Sequence, residues 1–225
     1  MCDYIVYVEI YTNYKKGFTL AEVLITLGII GVVVAMTIPT LLIDIRNMEF
    51  QARLKKAYNV IQNAVLMVAI EDENFGNNYE PHTYKDKLIK QYNISQDCNI
   101  NCLGGSFMHN EYKTFAKKQI EINYFDDGQF FLNDGSFIMV ENFISNQLML
   151  TIDLNGPYKG PNIWGVDIFT FEINDKGVPM PGGAPDTTYE DKSKYCSKTS
   201  TEQYNGIGCT YDALYDKDYW SKIRQ

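Results

Sequence analysis

Hydrophobic residues fill the chain almost without interruption from Phe18 to Ile43, and the only ionisable side chain in that run is Glu22, near its start. As a helix, these roughly 26 residues extend about 39 Å, enough to cross a hydrocarbon core of about 30 Å with some tilt. Gly28 and Gly31 permit close approach of neighbouring helices. Pro39 removes one backbone hydrogen bond and predicts a bend near residues 35–39. Beyond Leu42 the pattern changes. Phe50, Leu54, Ala57, Ile61, Ala64, Val65 and Val68 recur at three- and four-residue spacing, with Arg46, Glu49, Arg53, Lys56 and Asn63 on the other face. The helix is therefore predicted to continue as an amphipathic half over 44–76 with one buried stripe. The acidic run Glu71-Asp72-Glu73 and then Gly76-Asn77-Asn78 mark its end.

From Asn77 to Asn110 periodicity is weak; a short helix over Tyr84–Tyr92 and a loop over Cys98–Gly105 are predicted. Strand-like alternation begins at Gln119. Ile120–Phe125, Gln129–Leu132, Ser136–Glu141, Gln147–Asp153 and Val166–Ile173 read as strands, the first three separated by Asp127-Gly128 and Asp134-Gly135. Asp-Gly between β-rich runs is a strong hairpin signal. These segments predict an antiparallel sheet of about four or five strands over 119–173, one face on the helix and the other partly solvated. After Ile173 regular structure fades through the turn-rich stretch Gly177–Pro185 into a polar, Tyr-rich tail. The fold class is α+β: a long N-terminal transmembrane helix (18–43, then 44–76) packed on a head, 77–225, built around an antiparallel sheet.

The 225 residues suit one membrane segment plus a globular domain large enough to bury its own core. The formal charge is −8 and the isoelectric point near 4.8. Such an acidic chain argues against nucleic acid as a partner, because phosphate binding needs a cationic surface. The 17 tyrosines fit ordinary strand composition, with contact faces as the other reading.

Glu22 changes the picture further. A carboxylate inside a membrane segment costs about 2.5–3.5 kcal/mol, so its retention points to a function. If the chain is cut after Gly17, Phe18 gains an α-amine, and that cation can neutralise a neighbouring subunit's Glu22. The stretch Lys15-Lys16-Gly17-Phe18-Thr19-Leu20-Ala21-Glu22, followed by the apolar run, resembles the type III signal of type IV pilins and type II secretion pseudopilins. The resemblance implies cleavage between Gly17 and Phe18 by a prepilin peptidase/methyltransferase and N-methylation of Phe18. It also implies assembly with other pilin or pseudopilin subunits through the helix, in which Phe18, Glu22 and Pro39 take part. The chain would sit in a bacterial cytoplasmic membrane as a single span, head outside, and reach a filament or the cell surface after assembly. It would be a substrate of enzymes and not an enzyme. The leader, 1–17, departs from the basic leaders of that family: Ile5, Val6, Val8 and Ile10 are apolar and Asp3 and Glu9 acidic, which fits a misassigned start or a divergent leader.

Two readings of other classes compete. An ordinary secretory signal would be cut near Ala35 after Val33-Val34, releasing a secreted protein such as a hydrolase. The length of the run and the presence of Glu22 oppose it. A membrane-tethered binding module, capturing a ligand, a surface or DNA, would use the signal only for delivery.

Cys2 lies in the leader, leaving Cys98, Cys102, Cys196 and Cys209. Four cysteines in an exported domain read as two disulfides with three connectivities. The local pairs Cys98–Cys102 and Cys196–Cys209 close short loops at low entropic cost; a four-thiolate zinc site is the alternative. Asp153-x-Asn155-Gly156, continuing through Gly160-Pro161-Asn162 and Gly165 to Asp167, has the oxygen-rich, glycine-bent character of a calcium loop. Calcium on Asp153, Asn155 and Asp167 competes with a tight connection in which Asp and Asn cap turns. No bidentate Glu follows at the EF-hand distance. No other cofactor is expected: His82 and His109 have no ligand spacing around them, and neither a nucleophile elbow nor a phosphate loop is present.

Overall fold

The computed structural model describes residues 17–72, 81–99, 102–103, 107, 110–120, 125, 127–143, 147–174 and 176–223. The leader 1–16, the expected helix stop at Gly76–Asn78 and most of the expected first strand, 121–124, lie outside them. By internal contacts the chain divides into Met1–Leu42 and Ile43–Gln225. Helix α1, Leu20–Glu71, begins in the first unit and ends in the second, and helical structure continues through Pro39. In the first unit its apolar side chains are exposed, including Leu24, Ile25, Ile29 and Val32. In the second, Phe50, Leu54, Ala57, Ile61, Ala64, Val65 and Val68 are all buried. Three- and four-residue spacing brought these residues onto one stripe, and that stripe is the face that packs.

Helix α2, Pro81–Leu88, runs on as a 3₁₀ turn to Gln91. Six strands follow as a meander: β1 Ile94–Asp97, β2 Gly128–Leu132, β3 Phe137–Phe143, β4 Gln147–Asp153, β5 Ile168–Ile173 and β6 Pro179–Pro181. Every pairing is antiparallel. The two edge strands were not read from the sequence. β1 is Ile-Ser-Gln-Asp, mostly exposed, with no alternation to announce it. β6 is Pro-Met-Pro, a composition that argues against a central strand but is admissible at an edge. Gly182 N–H donates to Thr170 O at 3.0 Å, and Met180 stands opposite Glu172 two residues away in the same phase. Pro179 and Pro181 therefore fall on the positions that need no donor toward β5.

The expectation of a partly solvated second face is corrected. One face carries Phe130, Ile138, Val140, Leu150, Ile152, Phe169 and Phe171, which pack with the α1 stripe in one core. The other face carries Phe137, Met139, Met149 and Ile168 and is closed by Leu103, Tyr112, Ile120, Phe125, Trp164, Tyr189 and Ile207. Every residue of β5 is consequently buried. The covering residues lie in segments without regular periodicity, so no alternation marked them in advance.

The C-terminal region is held by more than its disulfide. Cys196 and Cys209 are bonded to each other, both within that region. Attachment to the sheet comes from Thr170 N–H donating to Thr210 Oγ1 at 3.0 Å and Tyr211 N–H donating to Gly182 O at 3.0 Å. Asn47 of α1 donates to Trp220 O at 3.0 Å, tying the last helix, Tyr219–Lys222, to the first.

Phe171 is fully buried in β5, and its ring stacks on Tyr58 of α1 with centroids 5.3 Å apart. Phe171→Ala is expected to destabilise the Ile43–Gln225 unit by about 3–5 kcal/mol in denaturant unfolding, whereas substitution of exposed Lys55 changes it by less than about 0.5 kcal/mol.

Candidate functional site

Two candidate regions follow from the sequence, one at the start of α1 and one in the head. At the first, Gly17 and Phe18 precede the helix, and Phe18 is 89% exposed. Thr19 stands at the position before Leu20 and Glu22 in the first turn. Thr19 N–H and Oγ1 donate to Glu22 Oε2 at 2.8 and 2.9 Å, and Glu22 N–H donates back to Thr19 Oγ1 at 3.2 Å. This is a reciprocal capping box, which satisfies backbone donors that a helix start otherwise leaves open. Thr19 carries no role in the N-terminal signal as read above, although Thr-x-x-Glu before an apolar run is the signature of this cap.

Downstream, the three threonines of the run direct their hydroxyls to the helix itself. Thr26 donates to Val23 O at 3.0 Å, Thr37 to Val33 O at 3.0 Å and Thr40 to Thr37 O at 2.9 Å. A hydroxyl satisfied in this way adds little polarity in hydrocarbon. By length and composition the helix can cross a membrane. Glu22 then stands as the one side chain in Phe18–Ile43 able to carry charge, with Oε2 engaged by Thr19.

In the head, Asp153 ends β4 and Asp167 immediately precedes β5, so the sheet register brings both ends of the connecting loop together. Both carboxylates are fully buried. Asp153 Oδ1 accepts from Asn155 N–H at 3.2 Å and Gly156 N–H at 2.9 Å, while Oδ2 accepts from the Tyr112 hydroxyl at 2.8 Å. Asp167 Oδ2 accepts from Asn162 N–H at 2.9 Å and Oδ1 from Ile163 N–H at 2.8 Å. Asn155 Nδ2 donates to Gly160 O at 2.9 Å and Asn162 Nδ2 to Pro157 O at 2.7 Å, cinching the loop from within. Gly156 has φ +83°, and a Cβ there would meet Gly135 O at 2.5 Å, so turn geometry and space both require glycine. Tyr112, distant in sequence, left no local signal of its role.

A calcium ion fits this arrangement poorly. All four carboxylate oxygens face N–H or O–H donors, which would repel a cation in the same position. Among the described residues no group of three or more His, Cys, Asp and Glu side chains converges to hold a metal. The loop brings two buried acids near enough for the charge of one to act on the other. Burial pushes the Asp153 carboxyl above the usual carboxylate range, and burial together with the Asp153 charge does the same to Asp167. Burial likewise holds the Tyr112 hydroxyl well above its ordinary range, so it stays a donor.

The remaining sequence candidates are placed as follows. Cys98–Cys102 and Cys196–Cys209 are disulfides with Cα separations of 4.9 and 4.8 Å, so the four sulfurs do not gather as a zinc site. Pro39 lies within α1. The side chains of His82 and His109 lie outside those described.

Residues 12–38 match the family model of the prokaryotic N-terminal methylation motif, the signal of type IV pilins and pseudopilins. The match covers the N-terminal signal and the first part of α1 and does not extend into the head. No characterised protein and no solved structure gives a significant match to the chain.

Two outcomes follow from the head loop. Because the folded state holds protons on Asp153 and Asp167 that the unfolded carboxylates release, this pair's contribution to stability is greatest below the ordinary carboxylate range and declines as pH rises toward neutrality. The melting temperature should accordingly fall between about pH 4 and pH 7, and Asp167→Asn should flatten that slope. Excess chelator should leave the melting temperature unchanged, as read by calorimetry.

Proposed function

We propose that the chain is a structural subunit of a type IV pilus or type II secretion pseudopilus, processed between Gly17 and Phe18, methylated at Phe18 and assembled through its N-terminal helix. The observation that carries this reading is the methylation motif at 12–38, with Glu22 the one ionisable side chain in the apolar run it opens. The pilin-like α+β architecture agrees with it. On this reading the partners are a prepilin peptidase/methyltransferase, the cytoplasmic membrane and other subunits. The chain carries no catalysis of its own, and the head lies outside the cytoplasm.

The geometry at Thr19 and Glu22 supports a division of labour within one carboxylate. Oε2 accepts both Thr19 donors, while Oε1 accepts no hydrogen bond among the described residues. A neighbouring subunit's Phe18 amine can approach Oε1 without dismantling the helix cap. Neutralising the charge by an incoming cation removes the cost of carrying a bare carboxylate into hydrocarbon, so the pairing favours assembly over the isolated subunit.

Mass spectrometry of the membrane-extracted chain should find a mature protein beginning at N-methylated Phe18. A chain beginning at Met36, or one retaining the leader, would defeat the proposal. Glu22→Gln retains the capping box and removes the charge; it should be processed normally yet yield several-fold fewer filaments. Thr19→Ala, which breaks the cap and leaves the charge, should assemble better than Glu22→Gln.

A further inference from the structure

Just past the apolar run, α1 carries Arg46, and no acid answers its charge. Its stem and Nε are enclosed, while the two Nη atoms are open to solvent; none of the three nitrogens has a hydrogen-bond or ion-pair partner among the described residues. The carboxylate best placed to pair with it is Glu49, because residues three apart share a helix face. Arg53 already holds that carboxylate, with Nε and Nη2 on Glu49 Oε1 at 2.9 and 2.8 Å. Asp44 lies about 200° round the helix from Arg46. Arg46 thus presents a planar fork of N–H donors without an acceptor, the shape that meets a phosphate bidentately.

A second unmatched cation lies close by. Asn47, next to Arg46, donates to Trp220 O at 3.0 Å, which sets the helix Tyr219–Lys222 beside this part of α1. Lys222 O of that helix accepts from Lys198 Nζ at 3.0 Å, and Lys198 forms no ion pair among the described residues. The acids of the region are already matched, since Lys222 stands 3.1 Å from Asp216 and 4.0 Å from Asp218. The whole chain has a formal charge of −8 and is repelled by an anionic surface, whereas this part of the head attracts one. Depth then identifies the anion. Arg46 stands about 4.5 Å along the helix from Ile43, where the apolar run ends. The polar layer flanking a bilayer's hydrocarbon is about 5–7 Å thick, so a membrane-spanning α1 puts Arg46 among lipid headgroups.

We propose that Arg46, supported by Lys198, binds the phosphate of an anionic phospholipid in the leaflet at which α1 leaves the membrane. The inference rests on the membrane-spanning reading of α1 given above. Arg46 orients the phosphate through its fork, and Lys198 adds attraction as a point charge. Before any neighbouring subunit arrives, phosphate is the anion present at that depth. The contact fixes how far the span is drawn into the bilayer, as interfacial anchors do.

The test uses the full chain in detergent micelles, titrated with phosphatidylglycerol and with phosphatidylcholine, with native mass spectrometry counting the bound lipid. Phosphatidylglycerol should bind about 5-fold more tightly than phosphatidylcholine, and Arg46→Gln should remove that advantage, the worth of one cation at an anionic surface. Arg46→Lys should recover part of it, because the charge returns without the fork. Lys198→Gln should weaken phosphatidylglycerol by less than Arg46→Gln does. Lys55→Gln, on an exposed part of α1 beyond this region, should leave it unchanged. Equal binding of the two lipids, or an Arg46→Gln chain that binds phosphatidylglycerol like the wild type, would overturn the assignment. So would displacement of the lipid by inorganic phosphate, which marks a general anion site. A chain that stays soluble without detergent would defeat the membrane-spanning reading itself, whereas a detergent-dependent chain with no lipid preference defeats this inference alone.

Discussion

The seam between the α1 stripe and the inner face of the sheet is the contact on which the head depends. Phe50, Leu54, Ile61, Val65 and Val68 meet Ile138, Val140, Leu150, Phe169 and Phe171 in a single core. Neither element is self-sufficient. A helix with one apolar stripe needs a surface to cover it, and a meander of short strands needs a packed face to hold its register. The ring of Tyr58 stacked on Phe171 extends the same seam to the helix's half-buried side.

On the far face the problem is different, because the covering layer is irregular chain whose backbone groups must still be satisfied. The head meets this with side chains that act as caps. Asp153 and Asp167 take up the N–H groups of their own loop, and Glu172 takes up those of Thr188 and Tyr189 at 2.8 and 3.4 Å. Asn205 binds Ser197 through both its donor and its acceptor. Buried acids are thus the means by which loops without secondary structure close a hydrophobic surface. The raised pKa values of Asp153 and Asp167 follow from that burial.

The start of α1 shows the same economy in an apolar setting. Glu22 completes the helix cap with Thr19, and the threonines that follow turn their hydroxyls onto the helix backbone. Few polar groups are left for the hydrocarbon to reject, apart from the charge on Glu22 itself. In the proposed assembly, that residual charge is what an incoming amine would neutralise, so that one side chain would serve both the isolated helix and its pairing.

Local patterns specified what local physics controls. Helical spacing identified the buried stripe of α1, Asp-Gly turns marked the hairpin between β2 and β3, and the signal before the apolar run was legible as it stood. Thr19 was equally legible in its Thr-x-x-Glu spacing. Other features had no local signature, since they exist only when distant segments meet. β1 and β6 became strands because neighbouring edges offered them hydrogen bonds. Tyr112 reaches Asp153 across 41 positions of chain, and the aromatic layer on the outer face comes from stretches with no period at all. Periodicity records how a segment presents itself to one neighbour. What lies on the second face and which acids end up buried are decided by packing, which no single stretch of the chain encodes.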